Sequence, residues 1–342
     1  MKAPQLNDLI IRPATQDDLN GVCEVIRAYS VDMFGVENDA KRNVEMTWGQ
    51  PGFQVDTDTR VVATPAGRIV GYGEVEDTQA PHVRIGCWSR VHPEYRGLGL
   101  GARLLDWIEK RAREAIDRAP DGTRVTLSHG VPDADLEMQR LFKDHDFSVV
   151  RHFWRMTIEL DHGIPEPVWP DGVSVRTFMF EEDLESVVHA FRDSFQDHWG
   201  YVEKSFEEDL KEWDYWIRSD EEFDETLTFL AMAGDKVVGL SSCDPKHPED
   251  PNMGLVEVLG VRRAWRRKGI ALALLHHTFL EFHRRGQKRV GLGVDATSLT
   301  GANKLYAAAG MKPTRQTDFV EKELRPGIDL SLQSLNEESD LS

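Results

Sequence analysis

The chain repeats itself, and this constrains its fold more than any other feature. Ile11-Arg12, followed by Asp18-Leu19, returns as Val175-Arg176, followed by Asp183-Leu184. Gly67-Arg68-Ile69-Val70-Gly71 returns as Gly234-Asp235-Lys236-Val237-Val238-Gly239. Val91 to Gly101 lines up without gaps on Val261 to Ala271, and Leu141-Phe142 on Leu305-Tyr306. The offset drifts from 164 to 170 and back to 164, as changes in loop length produce. At 342 residues the chain is about twice a typical domain. Two copies of one domain of about 160 residues follow from the repeat.

The join is readable as well. Pro165, Pro167 and Pro170 fall within six residues, which makes 163–172 a stiff linker between an N-terminal domain, 1–162, and a C-terminal one, 173–325. Residues 326–342 are polar and acidic without sustained periodicity, and are expected to form a weakly ordered tail.

Each copy has the same coarse order. In the first, a strand at Ile10-Ile11-Arg12 leads to helical patterning over roughly 17–30, a strand pair around 60–76 and a strand at 83–91. A helix follows at 100–116, with Leu104, Leu105, Ile108 and Ala112 on the 3.6 period, then strand 124–128, helix 134–144 and strand 149–160. This order predicts an α/β fold with a mixed sheet and helices on its faces.

In both copies an apolar strand ends at Val and runs into Arg-x-x-Gly-x-Gly/Ala, which opens a helix. The first is Arg96-Gly97-Leu98-Gly99-Leu100-Gly101, the second Arg266-Arg267-Lys268-Gly269-Ile270-Ala271. Small residues admit an anion close to the backbone, and a helix start offers unpaired N–H groups with a favourable dipole. The pattern is a pyrophosphate cradle, and it is neither GxGxxG nor the P-loop. Ordinary strand–helix turns account for one such loop more easily than for two at equivalent places.

Composition narrows the partners. Acidic residues number 59 against 41 basic, a formal charge of −18, which disfavours nucleic acid and anionic membranes and favours a cationic or amine-bearing partner. Against that background Arg262, Arg263, Arg266, Arg267 and Lys268 crowd the second loop; a solvated basic face is the usual explanation of such a cluster, but its coincidence with the cradle favours a polyphosphate ligand. Cys23, Cys87 and Cys243 lie far apart without CxxC spacing, which fits a reducing cytosol rather than a disulfide or zinc scaffold. The opening residues lack a signal peptide's apolar run, so a cytoplasmic protein is expected. The twelve histidines show no metal-ligand spacing, and no Gly-x-Ser-x-Gly elbow points to hydrolysis.

With these motifs the chain resembles the GNAT superfamily of N-acetyltransferases in tandem form, from about Ile10 to Leu324. Arg-x-x-Gly-x-Gly/Ala is that family's acetyl-coenzyme A motif, and Ala302-Asn303-Lys304-Leu305-Tyr306 through Gly310-Met311 is similar to its second motif. The resemblance implies two GNAT-like domains forming an internal pseudo-dimer, in a monomer or a homodimer. It implies acetyl-CoA as co-substrate without a metal. The pantetheine arm would pair with Leu259, Gly260 and Val261. The pyrophosphate would lie on amides 266–271, with Asn303 nearby. The corresponding first-copy residues are Val91 and Arg96 to Gly101, that is Arg96, Gly97, Leu98, Gly99, Leu100 and Gly101. The layout and linker are also similar to those of mycothiol synthases, which acetylate a cysteinyl amine. That family's strand carboxylate lies nearer the place of Leu255.

Acetyl transfer to an amine needs a proton acceptor for the ammonium, a polarised thioester carbonyl and a proton for the departing thiolate. Glu257 sits two residues before Leu259 and, by period 2, on the same face, where a carboxylate could serve as base; an edge carboxylate paired with an arginine is the alternative. Tyr306 stands where the family places the hydroxyl that protonates the thiolate; a core aromatic on a helix is the alternative. The first copy has Cys87 and Phe142 at these places and Asp146 for Gly310, so it is expected to cradle coenzyme A without turning over.

For the acceptor, Asp197, His198 and Trp199 lie between the first two helical segments of the second copy, as either an amine pocket or a packed turn. The acidic stretch Glu203 to Glu225 keeps helical spacing through Phe206, Leu210, Trp213 and Ile217, and reads as an amphipathic helix. The expected activity is N-acetylation of a small-molecule primary amine. The alternatives are a non-catalytic acyl-CoA-binding module, a mycothiol-synthase-like enzyme or a protein acetyltransferase.

Overall fold

A computed structural model describes residues 8–161 and 163–334. Its elements are β1 (Ile10–Arg12), α1 (Leu19–Phe34), α2 (Lys41–Gly49), α3 (Val55–Asp58), β2 (Thr59–Ala63), β3 (Ile69–Glu76), β4 (Arg84–Val91), α4 (Leu100–Glu114), β5 (Val125–Pro132), α5 (Leu136–Asp144) and β6 (Ser148–Glu159). The second copy adds β7 (Val173–Thr177), α6 (Phe180–Phe195), α7 (Phe206–Ser219), β8 (Thr228–Ala233), β9 (Lys236–Asp244), β10 (Met253–Val261), α8 (Ile270–Arg284), β11 (Arg289–Asp295), α9 (Ala302–Ala308) and β12 (Lys312–Arg325).

The chain divides into two compact units, Met1–Val150 with Thr317–Leu330, and Arg151–Gln316 with Ser331–Ser342. In the first, the strand order is β1-β2-β3-β4-β5-β12; in the second it is β6-β11-β10-β9-β8-β7. Each sheet is antiparallel except for one parallel pair, β4 with β5 and β10 with β11. The fold is thus mixed α/β, as the element order predicts.

Side-chain alternation along the strands serves two helical layers. In unit 1, Val61 packs with Val25 of α1 and Trp48 of α2, whereas its neighbour Val62 packs with Leu100 and Leu104 of α4. In unit 2, Leu230 and Met232 face Val187 and Ala190 of α6, while Phe229 and Ala231 face Leu274 and Phe282 of α8. Leu104, Leu105, Ile108 and Ala112 are all buried, as their spacing requires. α7 starts on a capping box between Ser205 and Glu208, with Trp213 and Ile217 packed on the core and Glu207 and Glu208 exposed, while Asp209 and Glu212 pair with Arg192 and Lys204.

The units do not follow the boundaries 1–162 and 173–325. Thr317–Arg325 pairs antiparallel with β5 in unit 1, and Phe153–Glu159 pairs antiparallel with β11 in unit 2. A repeat assigns a strand to a copy; its pairing partner is a non-local choice that the repeat does not encode. The tail differs too. The Arg124 N–H donates to Ile328 O at 2.8 Å, and the Gly200 N–H to Leu332 O at 2.7 Å. Residues 335–342 of the expected tail, and the opening residues read for a leader, lie outside the described residues. Among the described residues, no helix is long and apolar enough to cross a membrane.

Candidate active site

The site forms where β10 parts from β11. Their parallel ladder runs from Met253↔Arg289 to Val256↔Leu292 and stops. β10 continues to Val261 paired only with β9. The Arg262 N–H donates to Val238 O of β9 at 2.9 Å. Strand alternation therefore turns the backbone groups of Leu259 and Val261 away from β9, toward the gap. Unpaired strand backbone beside a gap is what an extended amide-bearing ligand arm can pair with.

A cavity of about 740 Å³ occupies this gap, lined by Leu259, Gly260 and Val261 of β10, the loop into α8, Gly293 and Val294 of β11, and Tyr306 of α9. Gly269 caps α8 with φ +88°, a left-handed conformation open to glycine, and Ile270, Ala271 and Leu272 line the cavity in the first helical turn. The amide N–H groups at this end have no partner within the helix and carry the positive end of its dipole. Arg267 takes φ +61° where the first copy has Gly97 at φ +74°.

Glu257 reaches the cavity by a route that period 2 does not describe. The β10–β9 register shifts between Val256 and Val258, which leaves Glu257 as an extra residue. Val256 consequently packs on the α8 side and Val258 on the α6 side, although they are two apart. Glu257 is exposed and lines the cavity. In unit 1, β3 and β4 stay in register from Gly71↔Val91 to Glu76↔Gly86, so Cys87 is an ordinary buried strand residue.

Tyr306 is 7% exposed, and burial pushes its hydroxyl up to about 12. At neutral pH the hydroxyl is therefore in its protonated form, which is able to donate a hydrogen bond or a proton.

Not every residue expected here reaches the cavity. Asn303 spends its side chain locally, donating from Nδ2 to Ala296 O at 3.0 Å and accepting the Lys304 N–H at 2.9 Å; Lys304 lines the cavity instead. The Lys268 ammonium sits 4.6 Å from the Trp265 ring centre. Asp197 pairs with Arg266 rather than lining the cavity. Burial alone would raise the Asp197 carboxyl, but the Arg266 hydrogen bonds and charge hold it below the usual range. His198 and Trp199 do line the cavity, with His198 edge-on to Phe195 at 4.5 Å and its imidazole pKa lowered by burial.

Several lining residues carry no motif. Phe153 belongs by sequence to the first copy and reaches the cavity through β6. Asp295 ends β11, and Ser298 and Thr300 lie on the loop after it. Asp295 accepts the Thr297 N–H at 2.8 Å, an Asx turn that its Asp-x-Thr sequence suggests. Val91 and Arg96 to Gly101 lie in unit 1, and every residue lining this cavity lies in unit 2.

Comparison with known proteins gives the family. The Acetyltransferase (GNAT) family profile matches twice, at residues 24–147 and 184–311. Mycothiol acetyltransferase of Thermobispora bispora is 30% identical over 71% of this chain and 76% of its own length. That of Saccharopolyspora erythraea is 29% identical over 72% and 79%. A solved GCN5-related N-acetyltransferase from Sphaerobacter thermophilus is 32% identical, with a TM-score of 0.76, covering 95% of this chain and 99% of that one. A tandem GNAT protein from the clavulanic acid biosynthesis pathway shares the fold at 17% identity, with a TM-score of 0.70, covering 94% of this chain and 100% of that one. The chain belongs to the GNAT family of acetyltransferases, whose members use acetyl-CoA as co-substrate, and carries the family's domain twice in tandem.

Proposed function

We propose that unit 2 acetylates a primary amine of a small molecule, with acetyl-CoA as donor, by direct attack and without a metal. The observation that carries this reading is the end of the β10–β11 ladder at Val256↔Leu292, which leaves strand backbone open along a cavity closed by the start of α8. The pantetheine amides pair with the backbone of Leu259 and with the Val261 N–H, since Val261 O already accepts from Arg266 Nε, and the pyrophosphate lies on the first turn of α8. Glu257 takes a proton from the acceptor ammonium, directly or through water. The freed amine nitrogen bonds to the acetyl carbonyl carbon, the carbon–sulfur bond breaks, Tyr306 gives its proton to the departing thiolate, and the second proton shed by the nitrogen as the amide forms returns the Tyr306 phenolate to its neutral form through water. His198 and Trp199 form the acceptor wall, and the charge of −18 favours a cationic acceptor. Unit 1 has Cys87 and Phe142 at the places of Glu257 and Tyr306 and does not turn over.

A mycothiol-type acceptor is the second reading, favoured by the curated relatives called mycothiol acetyltransferase. One experiment separates the two. Acetyl transfer is followed by product mass across amines, polyamines, aminoglycosides, amino acids, peptides and desacetyl-mycothiol. Turnover confined to desacetyl-mycothiol selects the second reading, and turnover on another amine the first. If every acceptor stays unmodified while acetyl-CoA binds tightly, the chain is an acyl-CoA-binding module.

A further inference from the structure

We propose that the chain holds one acetyl-CoA, in unit 2 alone, because unit 1 fills its own strand gap with the His129 side chain. The two parallel ladders end at equivalent rungs, Val256↔Leu292 in unit 2 and Gly86↔Ser128 in unit 1. The next residue on the second strand of each pair is Gly293 in unit 2 and His129 in unit 1. A Cβ added to Gly293 would meet nothing within 4 Å, and Gly293 lines the cavity. His129 is 1% exposed.

The imidazole does in unit 1 what an extended ligand arm would do. The His92 N–H donates to Val70 O at 2.9 Å, as Arg262 does to Val238, so alternation turns the Ser89 N–H away from β3 into the gap. Ser89 stands three residues past the last rung, where unit 2 has Leu259. Its N–H donates to His129 Nε2 at 3.2 Å. The amide corresponding to the one open in unit 2 is therefore already satisfied. Cys87 Sγ donates to Ser128 O at 3.4 Å on the same side, which occupies the carbonyl at the end of the ladder.

Packing holds the plug in place. Phe142 lies with its centroid 4.5 Å from His129, and Phe147 meets Phe142 edge-on at 4.9 Å. Burial, with Arg90 nearby, pushes the imidazole pKa down to about 3, so it remains a neutral acceptor and does not leave by protonation. The glycine loop of unit 1 keeps its form for a reason that needs no ligand. Gly97 and Gly99 hold positive φ, and Arg96 Nη1 donates to Asp32 Oδ2 at 2.5 Å.

This inference rests on the reading of unit 2 as the acetyl-CoA site, and a stoichiometry experiment tells the two failures apart. Native mass spectrometry and calorimetry with acetyl-CoA on the full chain are expected to give one site in the wild type and none in Gly293→His, which copies the plug into unit 2. Gly293→Ala, whose Cβ enters open space, keeps one site and shows that the position tolerates substitution. Two sites in the wild type overturn the proposal whether or not Gly293→His folds, and one left in that variant leaves the donor reading standing. One site in both folded proteins, or none in either, overturns the donor reading itself.

Discussion

Asp197 accepts hydrogen bonds from both terminal nitrogens of Arg266, 69 residues away, with Nη2 to Oδ1 at 2.9 Å. The same guanidinium donates from Nε to Val261 O at 3.2 Å and from Nη2 to Ser194 O at 2.9 Å. It ties the end of α6 to the end of β10 and the loop entering α8. Arg96 and Asp32 make the same connection in unit 1. The motif arginine is a brace for the loop, with its charge already matched. Asp197→Asn is therefore expected to weaken acetyl-CoA binding in the same direction as Arg266→Ala, roughly five- to thirtyfold, for about 1–2 kcal/mol of lost charge-assisted hydrogen bonding. Calorimetric Kd values check this. Unchanged or tighter binding in Asp197→Asn would mean that the guanidinium contacts the ligand directly.

Tyr306 and Glu257 separate chemistry from binding. With its hydroxyl pushed up to about 12, Tyr306 stays protonated until pH approaches that value, so it sets no basic limb in a profile over about pH 6 to 10. Tyr306→Phe is expected to lower kcat about a hundredfold, within the range for one proton-transfer group, with the acetyl-CoA Kd unchanged. Glu257→Gln is expected to lower kcat likewise, with the acetyl-CoA Kd unchanged. A Tyr306→Phe variant with unchanged kcat would return Tyr306 to the core aromatic alternative.

Much of this was legible in the chain, and the exceptions share one physical cause. Local pattern carries the helices: Leu104, Leu105, Ile108 and Ala112 recur on one face and are buried there. The glycine loops were legible because Gly99 and Gly269 must hold positive φ where a helix starts. Relations made by non-local pairing were not. Phe153 lines a cavity of the second copy because of where β6 pairs, the register shift that singles out Glu257 depends on β9, and His129 acquires meaning only beside Ser89. Asn303 matches its motif, yet a local bond to Ala296 O takes up its amide.

Fragments cut at the readable linker test that point. Residues 1–162 lack Thr317–Arg325, so β5 would present an unpaired edge, and buried Val320 and Leu324 would be missing. The expected outcome is aggregation or no cooperative melt by circular dichroism. Residues 163–342 lack Phe153–Glu159 and buried Met156 beside β11, and are expected to behave likewise. A cooperative melt of either fragment alone would show the borrowed strand to be dispensable.

Two matching ion pairs set an acid limb for stability. Asp18 is held below its usual range first by the hydrogen bonds from Arg12, and Asp183 by those from Arg176. A carboxyl with a lowered folded pKa contributes stability that is complete above its unfolded value near 4 and is lost as pH falls through the folded value. Tm should therefore fall on acidification below about pH 4, with a shallower slope in Asp18→Asn/Asp183→Asn, which is also less stable at neutral pH. Calorimetric scans against pH read both effects, and an unchanged slope would mean that other groups set the limb.

Trp199 is held from two sides. Its ring lies 4.9 Å from the Arg151 guanidinium, and its Nε1 donates to Gln333 Oε1 at 2.9 Å. The Leu332 N–H donates to Tyr201 O at 2.9 Å and Leu332 O accepts the Gly200 N–H, so the segment around Leu332 is fastened to the loop that carries this cavity wall. Removing 331–342 should therefore loosen the proposed acceptor wall and leave the strand gap proposed for the donor unchanged. The expected outcome is a rise in acceptor KM, with little change in acetyl-CoA Kd. Gln333→Ala should give a smaller rise, roughly three- to tenfold, for one hydrogen bond at about 1 kcal/mol. Equal loss of donor and acceptor affinity would show that the segment supports the unit as a whole rather than Trp199.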